Sequence, residues 1–502
     1  AAAGNAQVVR LAGFWHALRA LLAEGGAEES GWLALNRADD GTRLVVMKGR
    51  RDVAAGWQVP TLILDAILRP ALVRPFYPQA RLVADIAVAT PHMRVRQVVD
   101  RAYSLAMLNP DGASDPEEVQ RRKNNLRDLW VRIDAEARRV RHRGKLLVVM
   151  QKRIEEALIA MGPLPANVET AHHNAVAGRD EWRDVAGLVL VGRTLPAPGS
   201  VGALAEALSG SHVPLLERWY QRTDATRETL AGAELAEADR HPDPLAEAIR
   251  WQICEGELVQ IIGRGRGVNR TAANPLDVLV LCDVPLPLPV AETVTSASLD
   301  PTLPERMLAE GGAVFEAPAD AARAYPGLFR NAEAAKKRFQ RDRSGTFPYE
   351  GILIGECPEP LASADYRVAG AGQRPAVAWF DPLVVPDPEA WLADRLGVLA
   401  WCRVADPPAI DPPVVELVPE AIYPGHVLEP PPADMLVIGP RNRPLAMIEA
   451  PAMGPFMGAR AVTSRGLGPW LLLARPPDDP LALVPHPAFL PPKPPRARHG
   501  VI

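Results

Sequence analysis

Between residues 144 and 283 the chain alternates short apolar runs with amphipathic stretches, and this rhythm restricts the fold more than any other feature. The apolar runs are "GKLLVVM" at 144–150, "DVAGLVLVGR" at 184–193 and "LDVLVLCDV" at 276–284. Between them lie "QKRIEEALIAM", "SVGALAEALSG" and the long "DPLAEAIRWQICEGELVQIIGR", each with helical spacing. A strand that is apolar at every position, not at every second one, is covered on both faces. Such strands belong to parallel sheets with helices packed on either side. The expected class is therefore α/β, a doubly wound, mainly parallel sheet, with ligands at the carboxyl ends of its strands.

Upstream, the pattern predicts a helix over Phe14–Ala23 and a hairpin across "WLALNRADDGTRLVVMKGR", where Asp39-Asp40-Gly41 is a turn signal. The run "VPTLILDAIL" reads as a buried strand ending in Asp65, and "ARLVADIAVA" from Ala80 as a second strand. From Pro116 to Arg143 a long charged helix is expected. Its apolar positions Val119, Leu126, Leu129, Trp130, Ile133, Ala137 and Val140 form one stripe, and the arginine-rich remainder reads as a solvated face.

A length of 502 residues allows two or three domains. The 52 prolines are about twice the usual share of roughly 5%. They crowd the region after Pro407, which is expected to be largely irregular because proline denies both helix continuity and ladder hydrogen bonds. Before it, a mixed accessory region contains the basic helix "NAEAAKKRFQRDR" and the apolar patch "PYEGILIGEC". Cys254, Cys282, Cys357 and Cys402 form no CxxC, which argues against zinc or a disulfide framework and for reduced buried thiols. No metal site is expected: His172-His173 lacks a third ligand at useful spacing. No apolar run approaches the roughly 20 residues of a membrane span, so no membrane partner is expected and a cytoplasmic location is. The net charge of -4 excludes a simple basic coating protein but not a local basic track.

The segment "EGELVQIIGRGRGVNR", Glu255–Arg270, carries the most specific chemistry. A helix ends at Gln260-Ile261-Ile262. The glycines that follow permit a tight turn from which arginines project together. Guanidinium forks presented this way suit the oxygens of a triphosphate held by another lobe. The segment resembles motif VI of superfamily 2 nucleic-acid helicases, with Gln260, Gly263 and Arg264 at the matching positions. Gly267 stands where a second arginine belongs, between Arg266 and Arg270.

Three further stretches are similar to motifs of the same superfamily, in its order. "GKLLVVMQKRIEEAL" resembles motif IV, delivering Gln151, Lys152 and Arg153 from a strand end to a helix start, where phosphates are bound. "HHNAVAGRDEWRDVAGLVLVGR" resembles motif V, with Asn174, Gly178, Arg179 and Asp180. "VPTLILDAIL" resembles motif III of the DinG-like branch, with Asp65-Ala66 matching and Ile67 replacing a threonine. "ATPHMRVRQVVD" adds Arg94, Arg96 and Gln97 as phosphate-facing candidates.

The resemblance implies a RecA-like second lobe over 80–284. It is preceded at 1–79 by the end of a first lobe and followed by an accessory region at 285–406 and a proline-rich tail at 407–502. It implies finger residues Arg264, Arg266 and Arg270 with Gln260, and nucleotide-cleft residues Gly178, Asp180 and Gly263. Nucleic-acid contacts fall to Gln151, Lys152, Arg153, Arg179, Arg94 and Arg96. ATP and Mg2+ are implied as cofactors, and single-stranded DNA and replication proteins as partners. No Gly-x-x-x-x-Gly-Lys-Ser/Thr loop occurs in the sequence, so a first lobe outside this chain would grip the ATP. The start without methionine agrees with a piece of a longer mobile-element helicase. This chain by itself is then expected to be inactive. The alternative is a non-catalytic nucleic-acid-binding scaffold that keeps a RecA-like lobe.

Overall fold

The computed structural model describes residues 2–23, 29–37, 41–57, 59–86, 88–342, 361–370 and 374–405, together with strand residues 435–438 and 471–474. In chain order the elements begin with α1 (Ala2–Leu22), the hairpin β1 (Leu33–Arg37) and β2 (Arg43–Met47), and α2 (Pro70–Val73). The central part runs β3 (Met93–Val98), α3 (Leu105–Leu108), α4 (Pro116–Val140), β4 (Leu146–Met150), α5 (Lys152–Met161), β5 (Val168–His172), β6 (Gly187–Val191) and α6 (Pro198–Ser209). It continues through the hairpin β7 (Gln221–Thr229) and β8 (Gly232–Arg240), then α7 (Pro244–Trp251), α8 (Glu257–Arg264), β9 (Leu276–Leu281) and β10 (Glu292–Val294).

Six of these strands form one all-parallel sheet in the order β10-β3-β9-β6-β4-β5. Side chains alternate between its two faces, and both faces are apolar. Leu147, Val149, Leu188, Leu190, Val278 and Val280 meet Leu258 and Ile261 of α8, with Trp182. Leu146, Val148, Met150, Val189, Leu279 and Leu281 meet Leu126, Leu129, Ile133, Ala137 and Val140 of α4 and Ile154 and Leu158 of α5. Each such side chain contributes about 1.5–3 kcal/mol on burial. The expected mixed α/β sheet flanked by helices is present.

Helix α4 starts where Asp115 accepts a hydrogen bond from the Glu118 amide at 3.0 Å and Pro116 occupies the first turn. Its charged side is not simply a solvated face. Arg132 and Arg138 reach a second unit made of α9 (Leu303–Gly311), β11 (Ala313–Phe315), α10 (Pro318–Ala324), α11 (Ala332–Asp342), β12 (Ala362–Val368), β13 (Ala376–Phe380), α12 (Pro388–Leu396) and β14 (Leu399–Ala405). This unit has an antiparallel sheet, β11-β13-β12-β14, and its own core around Phe315, Tyr325, Tyr366 and Phe380. Fully buried Asp381 pairs with Arg138 and, at 2.7 Å, with Arg141, tying the unit to α4.

Several local expectations need correction. Residues 59–66 and 80–86 form no strand. Instead Ile67 is buried beside Gly256, its Cδ1 3.0 Å from where a Cβ there would lie. The long helix read over 243–264 is broken by a π turn at Gln252–Gly256, around the buried pair Arg250–Glu255 at 2.7 Å. The main sheet does not end at 284 but takes β10 as an edge strand. The hairpin read at 32–50 is present and docks on α6, where the Trp32 indole donates to Ala207 O at 3.2 Å and Lys48 pairs with Glu206. The patch "PYEGILIGEC" and nearly all of the proline-rich tail lie outside the described residues. Within the tail, Met435–Ile438 and Leu471–Ala474 pair antiparallel.

Candidate functional site

The motif-like residues fall at two opposite edges of the sheet. Helix α8 runs back along one face, so Arg264 and the turn after it arrive where β3 and β9 begin. At Gly265 a Cβ would lie 2.5 Å from Leu276 Cδ2, and at Gly267 one would lie 2.7 Å from Met93 Sδ. These glycines serve close approach. The left-handed turn falls instead on Arg266, at φ 51°, a conformation that costs a non-glycine residue of order 1 kcal/mol.

That turn meets the loop between β5 and β6. Arg264 Nη1 donates to the Arg179 carbonyl at 3.2 Å, while its Nε is buried without an acceptor. Arg266 donates from Nε and Nη2 to one oxygen of Asp180, at 2.9 and 2.5 Å. Gly178 precedes them at φ 76°. Arg179 pairs with Glu181 and stacks over Trp182, its Cζ 4.4 Å from the ring centre. Gly263 is exposed and Gln260 half-buried on the preceding turns. The loop is tied to the start of α8 as well: the Asn174 amide, at a residue with φ 64°, donates to Glu257 Oε1 at 2.7 Å.

Arg270 stands apart from these. It is buried, and its guanidinium donates to the carbonyls of Gly265 and Arg183 and to Asn274 Oδ1 at 2.6–3.1 Å. Four of its five N–H donors are spent on the turn and on the Arg183 carbonyl, so Arg270 acts here as a structural clasp.

At the carboxyl edge, β4 is followed by Gln151, half-buried, whose side-chain amide donates to Arg193 O at 2.8 Å. Lys152 and Arg153 open α5 and are exposed. Lys152 has a loose partner, Glu156, at 3.9 Å. Arg94 pairs with Glu292 at 2.7 Å and remains more than half exposed. Arg96 does not face a phosphate track: its Nη2 donates to both oxygens of buried Glu136, at 2.7 and 2.8 Å. Burial raises the pKa of Glu136, but Arg139 and Arg96 outweigh it and hold the carboxyl below its ordinary range.

A network unforeseen from the sequence covers the same edge. Fully buried Gln97 donates to the carbonyls of Cys282 and Val284 at 2.9 and 2.7 Å. It accepts from Arg227 of β7 at 3.0 Å, and Arg227 also reaches Asp283 O at 2.7 Å. Arg193 pairs with Asp239 of β8 at 2.6 Å, and Asp283 Oδ1 is buried without a partner. The β7–β8 hairpin thus sits over the ends of β3, β6 and β9. Its polar alternation offers no apolar run, and Gln97, expected to face phosphates, is instead buried at the centre of the network.

Burial pushes the Cys282 thiol up to about 12 and raises Cys254 as well, in keeping with inert reduced thiols. Cys357 lies outside the described residues. His173 is buried with Nε2 3.1 Å from Val191 O, and no group of three metal-ligating side chains occurs among the described residues. None of the described helices is long and apolar enough to cross a membrane. Comparison with protein-family models, curated proteins and solved structures returns no match.

Proposed function

We propose that this chain is the second, RecA-like lobe of an ATP-dependent DNA motor of helicase superfamily 2, with an accessory unit attached. The observation that carries the reading is the meeting of Arg264 and Arg266 with the Gly178–Asp180 loop, across more than 80 positions of sequence. Two motif-like segments that resemble neighbours in a nucleotide cleft are neighbours in space. The sheet supports them on rigid elements, as a finger acting across an interface requires.

In this reading a partner lobe presents ATP and Mg2+ to the α8 terminus. Arg264 is the finger, because its one hydrogen bond among the described residues is to a carbonyl and is readily exchanged. Arg266 is held by Asp180 until the triphosphate competes for it. Lys152 and Arg153, at the other edge, contact single-stranded DNA, while Arg179 and Arg94 are further cations at the finger's own edge. Separating Lys152 and Arg153 from the finger across the sheet lets cleft closure on ATP move those strand contacts as a rigid body.

The testing experiment is steady-state ATP turnover by the complete motor, with and without Arg264→Ala. This chain by itself should release no phosphate above a buffer blank. Hydrolysis by the isolated chain that Arg264→Ala abolishes would refute the division of labour between lobes.

A further inference from the structure

A cavity of about 290 Å³ lies between the 69–71 segment and helix α7. Arg69 and Arg240 line it, with Trp251, Glu247 and the prolines Pro70 and Pro244. The Arg69 guanidinium lies flat on Trp251, its Cζ 3.4 Å from the ring centre. Its Nε is buried with no acceptor, and the side chain makes no hydrogen bond or ion pair with the described residues.

The carboxylates nearby, Glu255 and Glu247, offset its burial only in part, because both are already bound. Glu247 accepts from Arg250, from Arg240 at 2.8 Å and from the His241 amide at 2.8 Å, and Glu255 is bound by Arg250. The cavity wall therefore carries two guanidinium groups against one carboxylate that is already shared. A partly desolvated cation without a counter-ion is costly, and stacking on an aromatic ring offsets about 0.5–2 kcal/mol of that. Burial accordingly depresses the affinity of Arg69 for its proton.

We propose that this cavity is a binding site for a phosphoryl oxyanion, with Arg69, preset on Trp251, as its principal ligand and Arg240 as the second. A tetrahedral anion offers oxygens to two guanidinium planes at once, which suits a fork held rigid by stacking. The volume leaves room beside the phosphoryl group for a ring or sugar against the proline walls. Occupancy would also clamp the 65–73 segment to α7, and through the π turn to α8. The site stands independently of the motor reading, since no residue in it belongs to the motif-like segments.

The test is calorimetric titration of the full chain with inorganic phosphate, with adenosine monophosphate and with a short single-stranded oligonucleotide. Saturable binding of at least one is expected, about ten- to a hundredfold weaker in Arg69→Ala, the range for a charged hydrogen-bonded contact. Arg240→Gln should weaken it less, and Arg330→Ala, an exposed arginine of the accessory unit, not at all. Binding of phosphate or the mononucleotide identifies a free phosphate ligand, whereas binding of the oligonucleotide alone identifies a strand phosphodiester. Absence of binding in all three arms, or unchanged affinity in Arg69→Ala with circular dichroism intact, overturns the proposal.

Discussion

Arg266 and Asp180, 86 positions apart, are joined by two hydrogen bonds from one guanidinium edge to a single carboxylate oxygen. The arginine that makes them has a left-handed backbone, at φ 51°. Both side chains are more than two-fifths exposed, so the pair itself adds little to stability, about 0–1 kcal/mol. The strain and the weak pair nearly cancel. Arg266→Gly should therefore leave urea unfolding unchanged or stabilised by up to about 1 kcal/mol. A loss above about 2 kcal/mol would mean that the turn depends on the ion pair.

The buried pair Arg96–Glu136 should behave in the opposite way. Glu136→Gln leaves Arg96 and Arg139 around a neutral group and should cost about 3–5 kcal/mol. Because the folded pKa of Glu136 is depressed, its contribution is present above the ordinary carboxylate range and is lost as pH falls below it. Unfolding of the variant followed against pH should show a weaker acid dependence than the parent.

Acid sensitivity should begin earlier than the carboxylates. Burial lowers the pKa of His173 and His241 below the ordinary 6.5. The unfolded chain then binds more protons, so stability falls as pH drops below about 6.5, by at most about 1.4 kcal/mol per unit for each histidine. His173→Gln should remove part of this limb. An unchanged profile between pH 6.5 and 5 would show that His173 binds its proton equally well folded and unfolded.

Binding to single-stranded DNA should weaken steeply with salt. Lys152→Ala and Arg153→Ala should each lower the slope of log affinity against log salt by about one. Arg96→Ala should leave the slope alone while destabilising the fold. A salt-independent affinity would remove these residues from the strand contact.

The sequence made the central strands plain because parallel strands buried on both faces are written as unbroken apolar runs, as at Leu146–Met150 and Gly187–Val191. It concealed β3, whose Arg96 and Gln97 look solvent-facing but are buried against Glu136 and the carbonyls of Cys282 and Val284. The run at 59–66 misled in the other direction: it is apolar enough for a strand but pairs with no neighbour, and its burial is concentrated at Ile67. At the candidate site, the resemblance to motifs V and VI implied that Arg264 and Asp180's loop are neighbours. It did not distinguish Arg266, which faces out, from Arg270, whose guanidinium is enclosed by Gly265, Arg183 and Asn274. That distinction depends on a left-handed residue and two close glycine contacts, which no residue count reveals.

The proposed function rests on Arg264, and DNA-stimulated ATP turnover by the proposed two-lobe motor tests it most directly. Arg264→Ala should lower the rate by about 10³-fold or more while nucleotide binding stays near the parental value, because a finger acts on charge developing in the transition state. Arg264→Lys should restore little, since an ammonium lacks the planar fork. Arg270→Ala should instead lower stability, and Arg266→Ala should approach the Arg264 defect. Turnover by Arg264→Ala at the parental rate would contradict the account.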